Sequence, residues 1–344
     1  MLVGTGNFFT GMNSKRISMK SLILLTLCLS MNTFSAEVDQ FSRRTEKIHD
    51  SLLEINAKAN RHLEKALERV NLEQQCNPNT VHQTKLYTEL KKEFANHSKG
   101  QFIIDLLHDK NLAVQNIPLK ESIYGTWNIT NGFLLGRKKA ASSPLAIFPL
   151  INLNGYYIGL DKLEHMFGMG FIYFNRHHIK RQKLKRVLKH GILREKTVLG
   201  GLVLATGVFS YSDLSANFNG MRFWNHMLQN DNDVLGKDYN IGPYIKCESG
   251  KWVSNKEKPI DFSHYIDDSM DESLNCSKFA NKKSVKKFSK KMKDIDPSYS
   301  CPMDMSKIIK MKRKYDLPIS QFSSISNWII NTSGNSELSL LDEF

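Results

Sequence analysis

The chain has 344 residues, of which 41% are hydrophobic and 24% are charged, so it can bury a sizeable core and is not expected to be disordered throughout. Its 20 glycines and 9 prolines argue against a fibrous or low-complexity protein. The formal net charge of +14 favours anionic partners such as phospholipid head groups, lipopolysaccharide or nucleic acid.

Residues 1–35 have the build of a secretory signal peptide. Lys15, Arg16 and Lys20 precede the apolar run SLILLTLCLSMNTF, and small residues follow from Ser35. We expect cleavage after Ser35, which removes the three basic residues and lowers the net charge from +14 to +11. This predicts export to the periplasm or the outer-membrane periphery of a Gram-negative bacterium. Anchoring in the inner membrane by an uncleaved signal is the alternative.

Removing the signal also changes the cysteine count from five to four. The cysteine that is lost, Cys28, offers lipidation as a further alternative. An even number of cysteines in an exported chain is typical of a disulfide framework, and no CxxC pair suggests zinc or redox chemistry. Four cysteines allow three pairings, and the sequence leaves all three open. The disulfide candidates are Cys76, Cys247, Cys276 and Cys301.

Residues 36–135 show the periodicity of helices. Apolar residues recur at three- and four-residue steps between Val38 and Leu72 and again between Val81 and Phe94. The segment QFIIDLLHD, residues 101–109, predicts a third helix. We therefore expect an N-terminal helical region with little sheet.

Residues 136–240 read as a central helical core. Residues 140–160 carry no charge, but prolines and glycines interrupt them, so a membrane-spanning helix is not predicted. A helix is expected from Asp161 to about Asn175, and a basic span follows it. The uncharged segment TVLGGLVLATGVFSYS, residues 197–212, predicts a second buried helix, because it falls short of the roughly 20 residues that cross a bilayer.

Residues 241–344 form a Cys-containing, Lys-rich region. YIKCESGKWV, residues 244–253, predicts a small β-hairpin that turns at Ser249-Gly250. DFSHYIDDSMDESLNCSKF, residues 261–279, predicts a loop that leads into a helix. Two basic amphipathic helices are expected in SVKKFSKKMK and MDMSKIIKMKRKYD. The predicted fold is therefore mainly α: a globular multi-helix domain with one minor hairpin.

The candidate catalytic residues are two pairs at helical spacing. Asp161 and His165 are four residues apart, as are Asp213 and Asn217, so the members of each pair share a helix face. A carboxylate beside an imidazole can orient its tautomer, raise its basicity or join it in holding a metal. In a hydrolase His165 would be the general base or a metal ligand, with Asp161 orienting it. Asp213 with Asn217 would position water or metal.

A structural explanation competes with this site. Asp161 with Glu164 resembles an acidic capping box that starts a helix, and His165 is then a buried imidazole. In both interpretations we expect the two helices to approach closely through small residues. These are Gly168 and Gly170 on one helix, and Gly200, Gly201 and Ala205 on the other.

Two acidic segments are candidate cation sites. Asp231, Asp233 and Gly236 match an EF-hand at three positions, but Leu235 and Gly242 do not, so an EF-hand is rejected. In DDSMDE, residues 267–272, the acids either stabilise a helix start or hold a divalent cation. The sequence assigns no metal and no cofactor. It also contains no G-x-S-x-G, Walker, HExxH or Rossmann motif, so enzymatic activity stays undecided.

The densest basic segment either forms a solvated helix face or contacts an anionic membrane or polymer. Its lysines are Lys282, Lys283, Lys286, Lys287, Lys290, Lys291 and Lys293.

The segments DKLEH, GVFSYSDLSANFNGMRFWNH, PYIKCESGKWV and YIDDSMDESLNCSKF together resemble a family of uncharacterised exported proteins of Gram-negative bacteria. The resemblance covers most of the mature chain and implies export, but no activity. DKLEH alone is similar to the DKxxH start of VanZ-like membrane proteins and of some small envelope lipoproteins. That likeness covers one helix and the full-length spans of VanZ-like proteins are missing, so no residue's role is carried over.

These observations leave three functional hypotheses. The first is an exported structural or binding module with a buried polar cluster and a basic surface that contacts an anionic membrane or lipopolysaccharide. The second is a metal-dependent or His/Asp acid–base hydrolase of envelope material. The third is a membrane-associated helical hairpin built from the two apolar stretches. Nucleic acid ranks below envelope surfaces as a partner, and the oligomeric state is not assigned.

Overall fold

The computed structural model describes residues 37–73, 75–76, 84–95, 100–142, 147–320 and 323–338. Its α-helices are α1 (Leu52–Glu73), α2 (Thr84–Glu93), α3 (Gln101–His108), α4 (Leu160–Phe174), α5 (Leu184–Arg194), α6 (Tyr211–His226), α7 (Lys282–Ile295), α8 (Met305–Tyr315) and α9 (Ser326–Ile329). Its strands are β1 (Glu37–Val38), β2 (Ile147–Phe148), β3 (Leu150–Leu153), β4 (Tyr156–Gly159), β5 (Val208–Phe209), β6 (Ile245–Glu248), β7 (Lys251–Ser254), β8 (Lys278–Phe279), β9 (Pro318–Ser320) and β10 (Ser323–Ser324).

The predicted mainly α class is confirmed. The periodic segments of the N-terminal region form α1, α2 and α3, and the two basic segments form α7 and α8. The strands pair only in twos, so each sheet is small. The predicted hairpin is β6–β7, and its turn at Ser249 and Gly250 has φ values of 48° and 78°. Gly250 meets the need for positive φ without steric cost.

Helices α4 and α6 pack against each other at close range. A Cβ on Gly170 would lie 2.6 Å from Gly220 Cα, and a Cβ on Gly220 would lie 2.1 Å from Met166 O. The indole Nε1 of Trp224 donates to Phe167 O over 3.0 Å. The contact through small residues was therefore predicted, but the glycine that faces α4 is Gly220 and not one of those near residue 200.

That difference arises because residues 197–212 are not the buried helix that was predicted. A π-helical turn, Glu195–Leu199, continues α5, and turns then lead to β5. Gly207 has a φ of 77°, and a Cβ on Gly200 would lie 2.1 Å from Val208 O. A helix could accommodate neither feature, so these glycines end α5 and redirect the chain.

The other apolar stretch, residues 140–160, begins in a 3₁₀ turn, Lys138–Ser142, and continues as strands from Ile147. Residues 147–160 form β2, β3 and β4, and the β3–β4 hairpin turns at Asn154 and Gly155. Residues 197–212 therefore do not supply the second helix of the hairpin in the third hypothesis, although α4 lies on the other side of the basic segment. Among the described residues, no helix is both long and apolar enough to span a bilayer.

The C-terminal region departs from prediction between residues 261 and 279. Only two short 3₁₀ turns form there, Phe262–His264 and Asp268–Met270, in place of an α-helix. The side chains of Asp261 and Asp267 accept hydrogen bonds from backbone N–H groups two residues later. Such local bonds favour turns over continuous helix.

The main core contains an aromatic cluster that joins α4 and α6 to the N-terminal helices. Phe167 of α4 lies 5.3 Å from Phe223 of α6 and 5.6 Å from Phe102 of α3, measured between ring centroids. A second core cluster includes Phe41, Trp127 and Phe288, and it holds α7 against the body.

Two disulfides connect the four predicted cysteines. Cys76 pairs with Cys247 and Cys276 pairs with Cys301, with Cα–Cα distances of 5.8 and 6.1 Å. The first joins the segment after α1 to β6, and the second joins the segment before β8 to the segment before α8. The described residues from Glu37 to Leu338 belong to one compact unit, to which all three predicted regions contribute. The predicted signal peptide lies outside the described residues.

Candidate functional site

A lysine lies at the centre of the site. Nζ of Lys162 contacts Asp161 Oδ2 at 2.7 Å, Asp213 Oδ1 at 2.6 Å and Glu272 Oε1 at 2.8 Å. Lys162 has no exposed surface, and each of the three acids is at most 3% exposed. The start of α4, the start of α6 and the loop before β8 therefore meet at one ammonium group.

His165 completes the contact between the two helices. Its Nε2 lies 3.2 Å from Asp213 Oδ2, and its Nδ1 lies 3.0 Å from Asn217 Oδ1. His165 is one helical turn beyond Asp161, and Asn217 is one turn beyond Asp213. The helical spacing therefore brings His165, Asp213 and Asn217 into direct contact. The carboxylate beside His165 is that of Asp213, whereas Asp161, which was expected to orient the imidazole, contacts Lys162.

Ser210 organises the start of α6. Its side chain caps the helix by accepting from the Asp213 backbone N–H at 3.1 Å, and its hydroxyl donates to Glu272 Oε1 at 2.9 Å. The Ser210 N–H in turn donates to Glu195 Oε1 at 3.2 Å. A serine at an N-cap is a common local choice, and here it also orients two buried acids.

Asp161 does not cap α4, so that structural explanation of the residue is wrong. The N-cap is Gly159, and no side chain supplies a cap there. A Cβ on Gly159 would lie 2.0 Å from Asp161 Oδ1, so the glycine leaves room for the carboxylate. Asp161 is therefore committed to Lys162.

The charges in this cluster strongly perturb one another. Burial alone would lower the pKa of Lys162, but the carboxylates of Asp161, Asp213 and Glu272 raise it well above its ordinary value. Burial raises the pKa of Asp161 to about 7, although Lys162 opposes this. Burial acts in the same direction on Asp213, but His165 and Lys162 together hold its pKa below the ordinary value.

Two further buried acids surround the cluster. Burial raises the pKa of Glu37 well above its ordinary value, and the charges of Glu272 and Asp213 add to the effect. Burial likewise raises the pKa of Glu195, with Asp213 adding to it. Both side chains favour the protonated form because the cluster already holds an excess of carboxylates.

The carboxylates could in principle hold a cation. Oxygens of Asp161, Asp213 and Glu272 lie within 4.8 Å of one another, which is a spacing that suits a metal ion. The chain itself supplies a cation at that place, because the ammonium of Lys162 contacts all three. Asp161 Oδ1 and Glu272 Oε2 are buried oxygens without a hydrogen-bond partner.

The other acidic segments are used in ion pairs. Asp231 Oδ2 lies 2.7 Å from Arg181 Nη1, and Asp233 Oδ2 lies 2.9 Å from Arg222 Nε. In DDSMDE, Asp267 contacts Lys314 at 2.6 Å. Asp268 of the same segment pairs with Lys307 at 2.9 Å. These contacts account for the acids without a bound cation.

Sequence reasoning missed several members of the cluster. Lys162 lies inside DKLEH, and its signal was a charged residue in the first turn of a helix that continues as a long apolar run. Glu272 was grouped with its acidic neighbours, whereas its side chain points to Lys162. Glu37 and Glu195 carried no signal, because each is brought to the cluster by the path of the chain.

A cavity of about 230 Å³ is lined by residues outside the Lys162 cluster. Its lining includes Arg44, Tyr157 and Asp271, and it includes neither Lys162 nor His165. The polar cluster therefore does not open into this cavity.

Comparison of the chain with protein-family models, with curated proteins and with solved structures finds no match. The likeness to exported Gram-negative proteins therefore stays a prediction. The chain has a mainly α fold, two disulfides and a buried polar cluster organised around a lysine.

Proposed function

We propose that this protein is an exported cell-envelope module that acts by binding anionic envelope surfaces, and that the Lys162 cluster stabilises its core. The observation that carries the proposal is the position of the Lys162 ammonium. It contacts all three carboxylates that would otherwise be the strongest candidates for catalysis or metal binding.

The geometry of His165 supports the same conclusion. A general base needs a nitrogen that can reach a substrate proton. Both ring nitrogens of His165 are engaged, one with Asn217 and the other with Asp213, and the residue is 8% exposed. An imidazole held in this way fixes the α4–α6 contact and has no nitrogen left for a substrate.

Exposed lysines on α7 form the surface that is proposed to bind anionic groups. On α7 the side chains of Lys282, Lys283, Lys286, Lys290 and Lys293 are exposed. In the described part of the chain, no carboxylate pairs with them in a salt bridge. Unpaired lysines on one helix attract phosphates of lipids or lipopolysaccharide. The predicted signal peptide and the two disulfides favour an envelope location, where such surfaces are abundant.

The proposal is tested with His165→Ala, beside His49→Ala, which changes an exposed histidine. We expect His165→Ala to lower the melting temperature, whereas sedimentation with lipopolysaccharide or phosphatidylglycerol vesicles is retained below the melting temperature. The same proteins are incubated with phospholipid, lipopolysaccharide and peptidoglycan, and released products are measured. A folded His165→Ala variant that loses turnover shown by the wild type would overturn the proposal.

A hydrolase of envelope material remains the second candidate because of one observation. Asp161 Oδ1 and Glu272 Oε2 are buried without partners, so displacement of Lys162 would free a set of oxygens for a divalent cation. Metal analysis of the natively purified protein tests this directly. A stoichiometric metal that is lost in Glu272→Gln would favour the hydrolase over the binding module.

A further inference from the structure

Three segments distant in sequence meet on one face of the protein. The backbone N–H of Phe133 donates to Val203 O over 2.6 Å, which joins the loop 125–137 to the loop 200–207. On its other side the first loop contacts α7, because Lys287 Nζ donates to Thr126 O at 2.6 Å. Asn281, the N-cap of α7, donates to Thr130 O at 3.1 Å. We call this surface, formed by residues 125–142, 200–207 and 281–293, the basic face.

The basic face exposes large apolar side chains at its loop tips. Ile129 is 55% exposed, Phe133 is 42% exposed and Leu204 is 63% exposed. Leu204 directly follows the residue that accepts the backbone hydrogen bond from Phe133, and Ile129 directly precedes the residue that Asn281 contacts. Exposed apolar residues that are gathered in this way indicate an interaction surface.

The loop tips cannot sink into the body, because the backbone beneath them is closely packed. A Cβ on Gly132 would lie 1.7 Å from Thr206 O, and a Cβ on Gly207 would lie 2.0 Å from Asn131 O. Asn131 is itself fixed to α7, since its Nδ2 donates to Ser284 Oγ at 3.1 Å. The two loops therefore present their apolar tips from a firm base.

Positive charge surrounds these tips. The three segments of the basic face contain no Asp or Glu. The guanidinium of Arg137 lies 5.2 Å from the centroid of the Phe133 ring. Lys138 and Lys139 are exposed beside it. The seven lysines of α7 complete the positive charge of this face.

From this arrangement we propose that the basic face docks on an anionic phospholipid bilayer, with Ile129, Phe133 and Leu204 inserted among the lipids and the lysines on the phosphates. This inference rests on the proposed function and specifies its surface. A lipid interface matches both features, because its phosphates attract cations and its acyl region accepts apolar groups. A nucleic acid would match the charge but would leave the apolar tips exposed to water.

The test uses the full mature protein and vesicles of phosphatidylglycerol with phosphatidylcholine, or of phosphatidylcholine alone. We expect binding only to the anionic vesicles. The variant Ile129→Ser/Phe133→Ser/Leu204→Ser is expected to bind at least about tenfold more weakly, since each apolar side chain withdrawn from lipid loses a favourable transfer. Its matched control is Leu53→Ser/Leu72→Ser, which changes side chains on α1 that are 84% and 86% exposed.

The electrostatic contribution is tested with a variant in which Lys282, Lys283, Lys286 and Lys290 are all replaced by glutamine. It should weaken binding by at least about tenfold, because each lysine near an anionic membrane surface adds to the binding affinity. The control removes the same charge by Lys→Gln changes at four exposed lysines elsewhere. These are Lys65, Lys110, Lys237 and Lys251. Circular dichroism and melting curves establish that every variant is folded.

Insertion of the loop tips into the bilayer is measured separately by tryptophan fluorescence, with the variants Ile129→Trp and Leu72→Trp. On addition of phosphatidylglycerol vesicles, the fluorescence of Ile129→Trp should shift to the blue, whereas Leu72→Trp should respond as the wild type does. If the wild type binds these vesicles but the face variants bind equally well, this inference is wrong and the proposed function stands. If the wild type binds neither phosphatidylglycerol nor lipopolysaccharide, the proposed function fails as well. Preference for nucleic acid over vesicles would also overturn the membrane assignment.

Discussion

Lys162 Nζ in α4 lies 2.6 Å from Asp213 Oδ1 in α6, in a place where the lysine has no exposed surface. This ion pair joins the two central helices. Because Asp161 and Glu272 contact the same ammonium, the pair is part of a cluster that cannot lose its cation without leaving several buried charges.

Replacing Lys162 with methionine should therefore strongly destabilise the fold. We expect the free energy of unfolding to fall by about 3–5 kcal/mol, because the change leaves buried carboxylates without their cation. Urea unfolding measures the effect, and Lys110→Met, at an exposed position, is the matched control. Adding Asp161→Asn and Glu272→Gln to the Lys162 variant should recover part of the loss. A Lys162 variant as stable as the wild type would refute this account of the cluster.

The contact between α4 and α6 predicts opposite effects for two glycines. Gly220→Ala would place a Cβ 2.1 Å from Met166 O, so the helices must separate. We expect a loss of about 1–3 kcal/mol in the free energy of unfolding. Gly168→Ala, on the half-exposed side of α4, should be neutral or stabilising because alanine favours helix. Thermal melting of both variants checks the prediction, and equal effects would contradict it.

The buried acids predict that the free energy of unfolding falls as the pH rises through neutrality. Burial raises the pKa of Asp161 to about 7 and places the pKa values of Glu37 and Glu195 well above their ordinary range. A carboxyl with a raised pKa binds its proton more tightly in the folded chain than in the unfolded chain. Its contribution is complete below the unfolded pKa and is lost as the pH rises through the folded pKa.

Histidines oppose this trend only at lower pH. Burial lowers the pKa of His178 and His190 to about 4, so they add stability as the pH rises towards their ordinary pKa of about 6.5. Acids with lowered pKa values change the stability only below about pH 4, where they become protonated. We therefore expect the melting temperature to fall as the pH rises through about 7, the pKa of Asp161 in the folded chain. Glu37→Gln and Glu195→Gln should each reduce that slope, whereas Glu68→Gln, at an exposed position, should leave it unchanged.

The disulfide pairing is a chemical prediction. Peptide mapping of the exported protein without reduction should recover Cys76 linked to Cys247 and Cys276 linked to Cys301. The first pair closes a separation of 171 residues, so Cys76→Ser/Cys247→Ser should cost about 2–5 kcal/mol by freeing the unfolded chain. Reduction should lower the melting temperature of the wild type. Four free thiols in protein isolated from the periplasm would remove this prediction.

The sequence predicted the helices correctly where the periodic spacing of apolar residues and the positions of helix-breaking residues indicated the same boundaries. It failed at residues 197–212, where an uncharged run resembled a buried helix, although its glycines form tight turns against Val208 and Asn131. Composition could not reveal this, because burial removes charge from strands and turns as readily as from helices. The same limit explains residues 261–279, where local side-chain bonds formed turns.

The sequence by itself determined the mainly α class, the β6–β7 hairpin, the four cysteines that pair, and the polar pairs of α4 and α6. Periodicity and spacing are local properties, and each of these features depends on residues close together in the chain. Only the tertiary structure decided that Lys162 is the centre of the cluster, that Glu37, Glu195 and Glu272 surround it, and which cysteines pair. Those contacts join residues far apart in sequence, and the energy of a buried charge depends on every group that folding brings around it.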